Sequence, residues 1–209
     1  MEFIKNRIAK ESDALSLALL HIECSKHQQG GFMHKLGLNF LKKYYEITIK
    51  NKNSVIILAQ NENGEVLGFH SGTLDAFEHY KNLRRYRYKF ILPVLITFIT
   101  NPKLILEIYT RYKYTGSDSD LRFGIKSGSR GEYWGWKPSR PNAVESINLH
   151  RNWHLILKQL GAINVRSEVD IVNDRIYKSI KIMGGIIIEE ITLHDGRRRA
   201  IVEYDLSKF

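Results

Sequence analysis

The sequence has few of the features that mark secreted, zinc-binding or membrane-spanning proteins. Its single cysteine, Cys24, has no partner for an internal disulfide and is not part of a Cys/His spacing typical of zinc sites. No apolar run reaches the ~20 residues that a transmembrane helix needs. Residues 1–23 carry charged or polar side chains throughout, whereas a signal peptide contains an uninterrupted apolar stretch. We therefore expect a cytoplasmic protein in which Cys24 is a buried structural thiol.

The sequence also lacks low-complexity tracts and internal repeats, which argues against a disordered chain or a solenoid. Of its 209 residues, 43% are apolar and 11% are aromatic, enough for one sizeable core. We therefore expect a single domain over residues 1–209.

Positive charge is abundant and unevenly distributed. A formal net charge of +10 and a pI of about 9.6 favour an anionic partner, such as a nucleic acid, a membrane surface or a phosphorylated small molecule. Residues 76–115 contain eight basic and two acidic residues, so this segment carries +6 of the total. The basic residues are Lys81, Arg84, Arg85, Arg87, Lys89, Lys103, Arg111 and Lys113, and the acidic ones are Glu78 and Glu107.

The first third of the chain predicts a strand, two helices and a hairpin. A short strand at residues 3–8 precedes helices that end near Cys24 and cover residues 32–49. Apolar segments 54–60 and 66–74 flank an Asn-Glu-Asn-Gly sequence, whose Asn-Gly pair favours a tight hairpin turn.

Residues 76–115 show helical spacing of apolar side chains and predict a helical insertion, with a break at Pro93. We expect it to form a lid or a wall of the substrate site. Strands are then expected at residues 120–125 and 132–137. The last two strands, at 186–193 and 198–206, are joined by an Asp-Gly turn.

Residues 131–185 combine a strand, a proline-containing loop, an amphipathic helix, a second strand and a short helix. The letters are GEYWGWKP, SRPNAVES, INLHRNWHLILKQLGA, NVRSEVD and NDRIYKSIKIMGG. This order resembles the acyl-coenzyme A-binding half of the GNAT superfamily of acetyltransferases, and the opening order of the chain resembles the start of the same fold. The resemblance implies an α/β (α+β) fold with a mixed, mainly antiparallel central sheet flanked by helices. The insertion would lie between strands 3 and 4.

The resemblance also implies a binding site for acetyl-coenzyme A. In this family the fourth strand separates from the fifth, and the pantetheine arm of the cofactor lies in the gap. Phosphates then bind at the N-terminus of the next helix, where backbone N–H groups and the helix dipole favour an anion. The implied cofactor-binding residues are Trp134, Trp136, Lys137, Arg140, Asn142, Ala143, Ser146 and Asn173.

Two segments depart from the family pattern, the phosphate loop and the short helix after the fifth strand. Ala143 and Glu145 replace the glycines of the phosphate loop, and Pro141 in that loop has no N–H to donate. Ile180 stands where the family has the tyrosine that protonates the departing thiolate. Tyr177, one helical turn earlier, is therefore the candidate general acid.

Acetyl transfer to a primary amine requires a neutral amine, and hence a base that works best when burial raises its pKa. Glu132 is the carboxylate on the predicted fourth strand, and it shares a face with Trp134 and Trp136 unless a bulge intervenes. A salt bridge to Arg130 is the alternative interpretation. His21 and Glu23, on the first helix, are further candidates near the acceptor.

His150 and His154 have the i, i+4 spacing of a metal-binding pair. No third ligand is evident nearby, so we expect solvated or core-edge histidines and no bound metal.

The leading hypothesis is an N-acetyltransferase that acts on a small, anionic amine acceptor, for example a nucleotide-linked aminosugar. The alternatives are a binding or regulatory domain with this fold and, third, a protein that binds nucleic acid or a membrane surface through the basic insertion. No RNP, zinc-finger or homeodomain-like pattern supports nucleic-acid binding. A peripheral membrane contact and the choice between monomer and homodimer stay open.

Overall fold

The computed structural model describes residues 3–26, 32–116, 125–193 and 196–209. The strands are β1 (Ile4–Ile8), β2 (Ser54–Asn61), β3 (Val66–Thr73), β4 (Arg130–Trp136), β5 (Asn164–Asp170), β6 (Ile186–Thr192) and β7 (Arg198–Asp205). The helices are α1 (Ala14–Ser25), α2 (Gly37–Ile49), α3 (Ala76–Arg85), α4 (Ile91–Thr100), α5 (Lys103–Gly116), α6 (Ala143–Gln159) and α7 (Asp174–Ile182).

The strands form one seven-stranded sheet in the order β1-β2-β3-β4-β5-β7-β6. The pair β4–β5 is parallel, and the other neighbouring pairs are antiparallel. The predicted mixed, mainly antiparallel sheet is therefore confirmed. Helices α3, α4 and α5 lie between β3 and β4 in the chain, as predicted for the insertion.

Two apolar cores cover the two faces of the sheet, because side chains alternate along each strand. The α1-side core joins α1 and α2 to Ile56, Leu58 and Phe69. The α6-side core joins α6 to Val55 and Ile57 of β2, the strand that also carries Ile56 and Leu58, and to residues of β7. The unbroken apolar run in β2 is thus explained by burial on both faces.

The predicted hairpin turn between β2 and β3 is confirmed, whereas the predicted Asp-Gly turn between the last two strands includes residues 194 and 195, outside the described residues. Gly64 adopts a φ of 81°, a conformation open to glycine, in the turn between β2 and β3. The predicted break at Pro93 is wrong, because Pro93 lies in the first turn of α4, where a missing N–H costs no intrahelical hydrogen bond. The predicted strand at residues 120–125 falls mostly outside the described residues, and Ile125 itself lies in no strand.

Helix α6 buries both of its histidines. Its buried residues are Leu149, His150, Trp153, His154 and Leu157, whereas Leu160 is exposed. The expectation of solvated or core-edge histidines is therefore wrong.

His150 and His154 belong to a buried group that also contains His70 of β3. His70 Nε2 lies 3.0 Å from His150 Nδ1, and His154 Nδ1 lies 2.8 Å from the His150 carbonyl oxygen. Within the described ranges, no group of His, Cys, Asp or Glu side chains has the arrangement of a metal site. Burial lowers the pKa of His154 to about 4, and burial together with the neighbouring histidines lowers the pKa of His70 and His150 well below 6.5.

These histidines predict loss of stability in mild acid. The unfolded chain binds protons at these sites below about pH 6.5, whereas the folded protein does not, so the free energy of unfolding falls as the pH drops from 6.5 towards 4. For His154 alone the free energy of unfolding falls by roughly 3 kcal/mol in total, because the pKa of this residue is about 4 in the folded protein and 6.5 in the unfolded chain. Denaturant melts between neutral pH and pH ~4.5 should show a shallower decline in His154→Gln than in the parent.

His34→Gln provides the comparison: burial also lowers the pKa of His34, but this residue is only half-buried, so its substitution should change the acid response less. An equal decline of stability with falling pH in His154→Gln and the parent would contradict the attribution of this loss to buried His154.

Candidate active site

The central feature of the site is a gap between the parallel strands β4 and β5. The two strands pair only at Arg130–Arg166 and Gly131–Ser167. Beyond these pairs, β4 continues beside β3 and β5 continues beside β7. The facing backbone edges of residues 132–136 and 168–170 are therefore not paired with each other, and an extended ligand can align between them.

A β-bulge lies where the gap begins. Ser71 faces Tyr133 while Gly72 faces Gly131, so Glu132 is the extra residue of β4. A bulge bends its strand and increases the local twist, which turns β4 away from β5. Immediately before the bulge the strands are close: a Cβ on Gly131 would lie 2.3 Å from Ser167 Oγ.

The bulge corrects one expectation from the sequence. Glu132 does not share a face with Trp134 and Trp136, because the extra residue interrupts the alternation of side chains. Burial, and in second place the charge of Glu132, raise the pKa of the Tyr44 phenol in the α1-side core. Both tryptophans pack against the α6-side core instead. Glu132 and the two tryptophans therefore lie on opposite faces of the sheet.

Trp134 and Trp136 line the gap on the face that carries α6. The Trp134 ring lies 4.6 Å from the His150 ring, and its buried Nε1 has no hydrogen-bond partner among the described residues. Trp136 Nε1 donates to the Arg140 carbonyl oxygen over 2.9 Å and so fixes the loop that follows β4. Trp136 thus connects the strand to the predicted phosphate loop.

The predicted phosphate loop ends at the exposed N-terminus of α6. Asn142 caps the helix, since its side-chain oxygen accepts the N–H of Glu145 over 3.1 Å. Ala143 is the first residue of α6 and is exposed, and Ser146 lies in the first turn. The loop therefore presents a helix N-terminus to solvent beside the gap, as an anion site requires.

Glu65, in the turn between β2 and β3, contacts both basic residues of this loop. Its carboxylate accepts from Lys137 Nζ over 2.5 Å and from Arg140 Nη1 over 2.7 Å. The hydrogen bond from Lys137, followed by that from Arg140, lowers the pKa of Glu65 and keeps it ionised. A carboxylate thus lies between the two cations that the sequence assigns to phosphate binding.

The opposite side of the gap is lined by acidic and basic side chains. Arg130 lies 3.7 Å from Glu132 and 3.4 Å from Glu168 of β5, measured between the nearest nitrogen and oxygen atoms. The Arg130 guanidinium also lies 5.4 Å from the centre of the Tyr80 ring, on α3. The predicted salt bridge between Arg130 and Glu132 is present, and the insertion borders this part of the site.

The α1 residues near the gap have structural contacts. His21 shares a 2.6 Å hydrogen bond with Tyr45 and stacks on Tyr133, and burial lowers the pKa of His21 to about 3. Glu23 accepts a hydrogen bond from Ser139 of the phosphate loop. Burial raises the pKa of Cys24 to about 12, in agreement with a structural thiol.

Helix α7 follows β5 on the far side of the gap. The Asn173 side chain accepts the Ile176 N–H over 3.4 Å, and its carbonyl oxygen accepts the Tyr177 N–H, so Asn173 begins the helix as predicted. Ile180 is buried in the α6-side core. Tyr177 is half-buried against the same core.

Sequence analysis missed Glu65, Glu168 and His70. Each becomes relevant only through a partner distant in the chain, respectively Lys137, Arg130 and His150. For Glu65 the sequence contained one signal, the β2–β3 hairpin. When β3 of this hairpin pairs with β4, the turn that carries Glu65 lies beside residues 136–138.

Comparison with known proteins identifies a shared architecture. No known family model matches the sequence, and no curated protein matches it. Among solved structures, the chain resembles an acetyltransferase of the GNAT family from Bacillus cereus ATCC 10987, with a TM-score of 0.56 and 11% identity over 97% of each chain. It also resembles PaiA N-acetyltransferase from Thermoplasma acidophilum in complex with coenzyme A, with a TM-score of 0.60 and 12% identity over 97% of this chain and 99% of that one.

A third similar structure is the spermidine/spermine N-acetyltransferase SpeG from Vibrio cholerae, with a TM-score of 0.58 and 7% identity over 98% of this chain and 94% of that one. At identities this low the shared property is the fold. The TM-scores and the nearly complete coverage show that this chain has the fold of the GNAT acetyltransferases.

Proposed function

We propose that the protein is an N-acyltransferase that moves an acetyl group from acetyl-coenzyme A to a primary amine. The observation that carries the proposal is the gap between β4 and β5, which begins at a bulge and lies beside the exposed N-terminus of α6. The amine nitrogen would bond to the thioester carbonyl carbon, the carbon–sulfur bond would break, and the amine would lose a proton while the thiolate gains one.

The donor would bind on the α6 side. The open backbone edge at residues 132–136 suits an amide-containing arm, and the Trp134 Nε1 group supplies a buried donor in need of a partner. Lys137, Arg140 and the first N–H groups of α6 suit phosphates. Because Pro141 has no N–H to donate, phosphate binding in this loop would depend more on side chains than it does in the family.

The acceptor would bind on the opposite side, where Glu132 takes the role of base. Glu132 is the extra residue of the bulge, and only 15% of its side chain is exposed. Its Oε1 accepts no hydrogen bond from the described residues, although it forms an ion pair with Arg130. Glu132 Oε1 therefore has lone pairs that no hydrogen bond within the described ranges occupies, and it could accept a proton from an amine.

Tyr177 would return a proton to the thiolate. The support is its half-buried position against the α6-side core, on the face of the sheet opposite Glu132. The two candidates would then serve different atoms, Glu132 removing a proton from the amine nitrogen and Tyr177 giving one to the thiolate sulfur.

For the acceptor we propose a small amine that also carries an anionic group, for example a nucleotide-linked aminosugar. The support is the insertion, whose helix α3 borders the acceptor side and ends in exposed Arg84 and Arg85. SpeG, a spermidine/spermine acetyltransferase, suggests polyamines as the contrasting class. Coenzyme A release should be greater with amines that carry phosphate or carboxylate than with polyamines.

Acetyl-coenzyme A should bind to the purified protein and raise its melting temperature. At a ligand concentration about a hundred times Kd, the stabilisation is about 2.7 kcal/mol, an easily measured shift. Neither a shift nor heat in calorimetry at millimolar acetyl-coenzyme A would refute the proposal. Binding without thiol release across the amine panel would instead favour a regulatory domain.

Neutralising Glu65 should strengthen coenzyme A binding. Glu65→Gln frees Lys137 and Arg140 from a competing carboxylate, and an exposed ion pair is worth up to ~1 kcal/mol, so Kd should fall by up to about fivefold. Titration calorimetry at low salt measures the change. Glu62→Gln is the matched control, because Glu62 is exposed in the same hairpin turn. Weaker binding in Glu65→Gln would show that Glu65 orients the cations.

Replacing Glu132 with glutamine should reduce kcat at least about a hundredfold while coenzyme A binding persists, the range for loss of a general base. The comparison variant is Glu168→Gln, which removes the other carboxylate beside Arg130. If Glu132 is the base, Glu132→Gln abolishes the acidic limb of the kcat/KM profile and Glu168→Gln retains it. Equal losses with unchanged profiles in both variants would instead assign the effect to Arg130.

A further inference from the structure

Helix α4 exposes a continuous apolar stripe. Ile91, Leu92, Leu95, Ile96 and Ile99 follow one helical face, with exposures of 58%, 67%, 50%, 43% and 84%. Apolar side chains this exposed occur singly on most proteins, whereas a contiguous group marks a contact surface.

The other side of α4 is fixed to the domain. Thr97 Oγ1 donates to the Leu36 carbonyl oxygen over 2.7 Å, Pro93 is buried, and the Phe90 ring before the helix lies 5.1 Å from the Phe40 ring. The orientation of α4 is therefore determined by packing against α2, and this packing leaves the stripe outward.

Helix α5 repeats the pattern. Leu104 is 2% exposed and anchors the start of the helix, while Ile105, Leu106 and Tyr109 are exposed. A salt bridge of 2.9 Å from Lys35 to Glu107 ties α5 to the segment before α2. We name the exposed apolar residues of α4 and α5 the insertion face; they are Ile91, Leu92, Leu95, Ile96, Ile99, Ile105, Leu106 and Tyr109.

Basic residues border the insertion face along the chain. Arg87 and Lys89 are exposed directly before α4, together with Tyr88, and Lys103 is exposed at the start of α5. Both acidic residues of the insertion are paired with lysines, Glu78 with Lys81 and Glu107 with Lys35. The border is therefore positive and complements a negative surface.

We infer that the insertion face docks on the anionic surface of a lipid bilayer. Aliphatic side chains enter the boundary between headgroups and acyl chains, while flanking Lys and Arg attract anionic headgroups and tyrosine prefers the interface. In the part of the chain that the structure covers, no helix has the length and apolar character to cross a bilayer. Helices α4 and α5 therefore lie along the surface, anchored by one face.

Two features favour lipid over other occupants. A second copy would bring its own basic border against the first, and like charges would oppose the pairing. In a groove that binds a partner peptide, the apolar residues that line the groove would be half-buried. Leu92, Ile99 and Leu106 are instead 67%, 84% and 69% exposed. The inference is independent of the proposed acyl transfer.

Vesicle flotation of the full chain tests the inference. We expect binding to vesicles that contain phosphatidylglycerol, little binding to phosphatidylcholine alone, and release at high salt. Leu92→Glu combined with Ile99→Glu should weaken binding at least about tenfold, because two aliphatic anchors no longer enter the bilayer. Ile163→Glu is the matched control, since Ile163 is 82% exposed but lies outside the insertion.

Arg87→Glu combined with Lys89→Glu leaves the apolar residues intact and should remove the preference for phosphatidylglycerol. Unchanged binding in the Leu92/Ile99 variant would overturn the inference, as would equal binding to both vesicle types. So would a concentration-dependent dimer that this variant dissociates, or binding to soluble polyglutamate as tight as binding to vesicles.

Discussion

The separation of β4 from β5 directly after Gly131 is the constraint on which the candidate site depends. Two residue pairs hold the strands together, and the bulge at Glu132 then turns β4 away. This bend opens the backbone edges for a ligand, directs Glu132 to the α1 side and keeps Trp134 and Trp136 on the α6 side. One extra residue in a strand therefore creates the gap and assigns different side chains to its two openings.

Charge pairing shapes both openings of the gap. On the proposed donor side, Glu65 lies between Lys137 and Arg140 and accepts a hydrogen bond from each. On the proposed acceptor side, Arg130 is shared between Glu132 and Glu168, and Arg199 also pairs with Glu168. A ligand at either opening would have to replace existing ion pairs. Its affinity then depends on the difference between old and new contacts rather than on the number of basic residues.

The insertion joins the site to the outer surface. Helix α3 reaches Arg130 through Tyr80, whereas α4 and α5 pack on the segment around α2 and leave their apolar stripes outward. The excess of positive charge seen in the sequence thus has two locations, one near the acceptor side and one around the insertion face. Composition gave the sign of the charge, but only the packing of three helices separated these locations.

Local patterns by themselves determined most of the fold: the hairpin at Gly64, the Asn142 cap, the insertion, and the order of elements from residue 131 to 185. These features depend on neighbouring residues, so short-range propensity suffices to predict them. Tertiary structure alone decided which face of the sheet carries Glu132. It also decided the burial of His150 and His154 beside His70, and the contacts of Glu65. Each of these depends on the register between strands distant in sequence, which one bulge shifts and which no local pattern encodes.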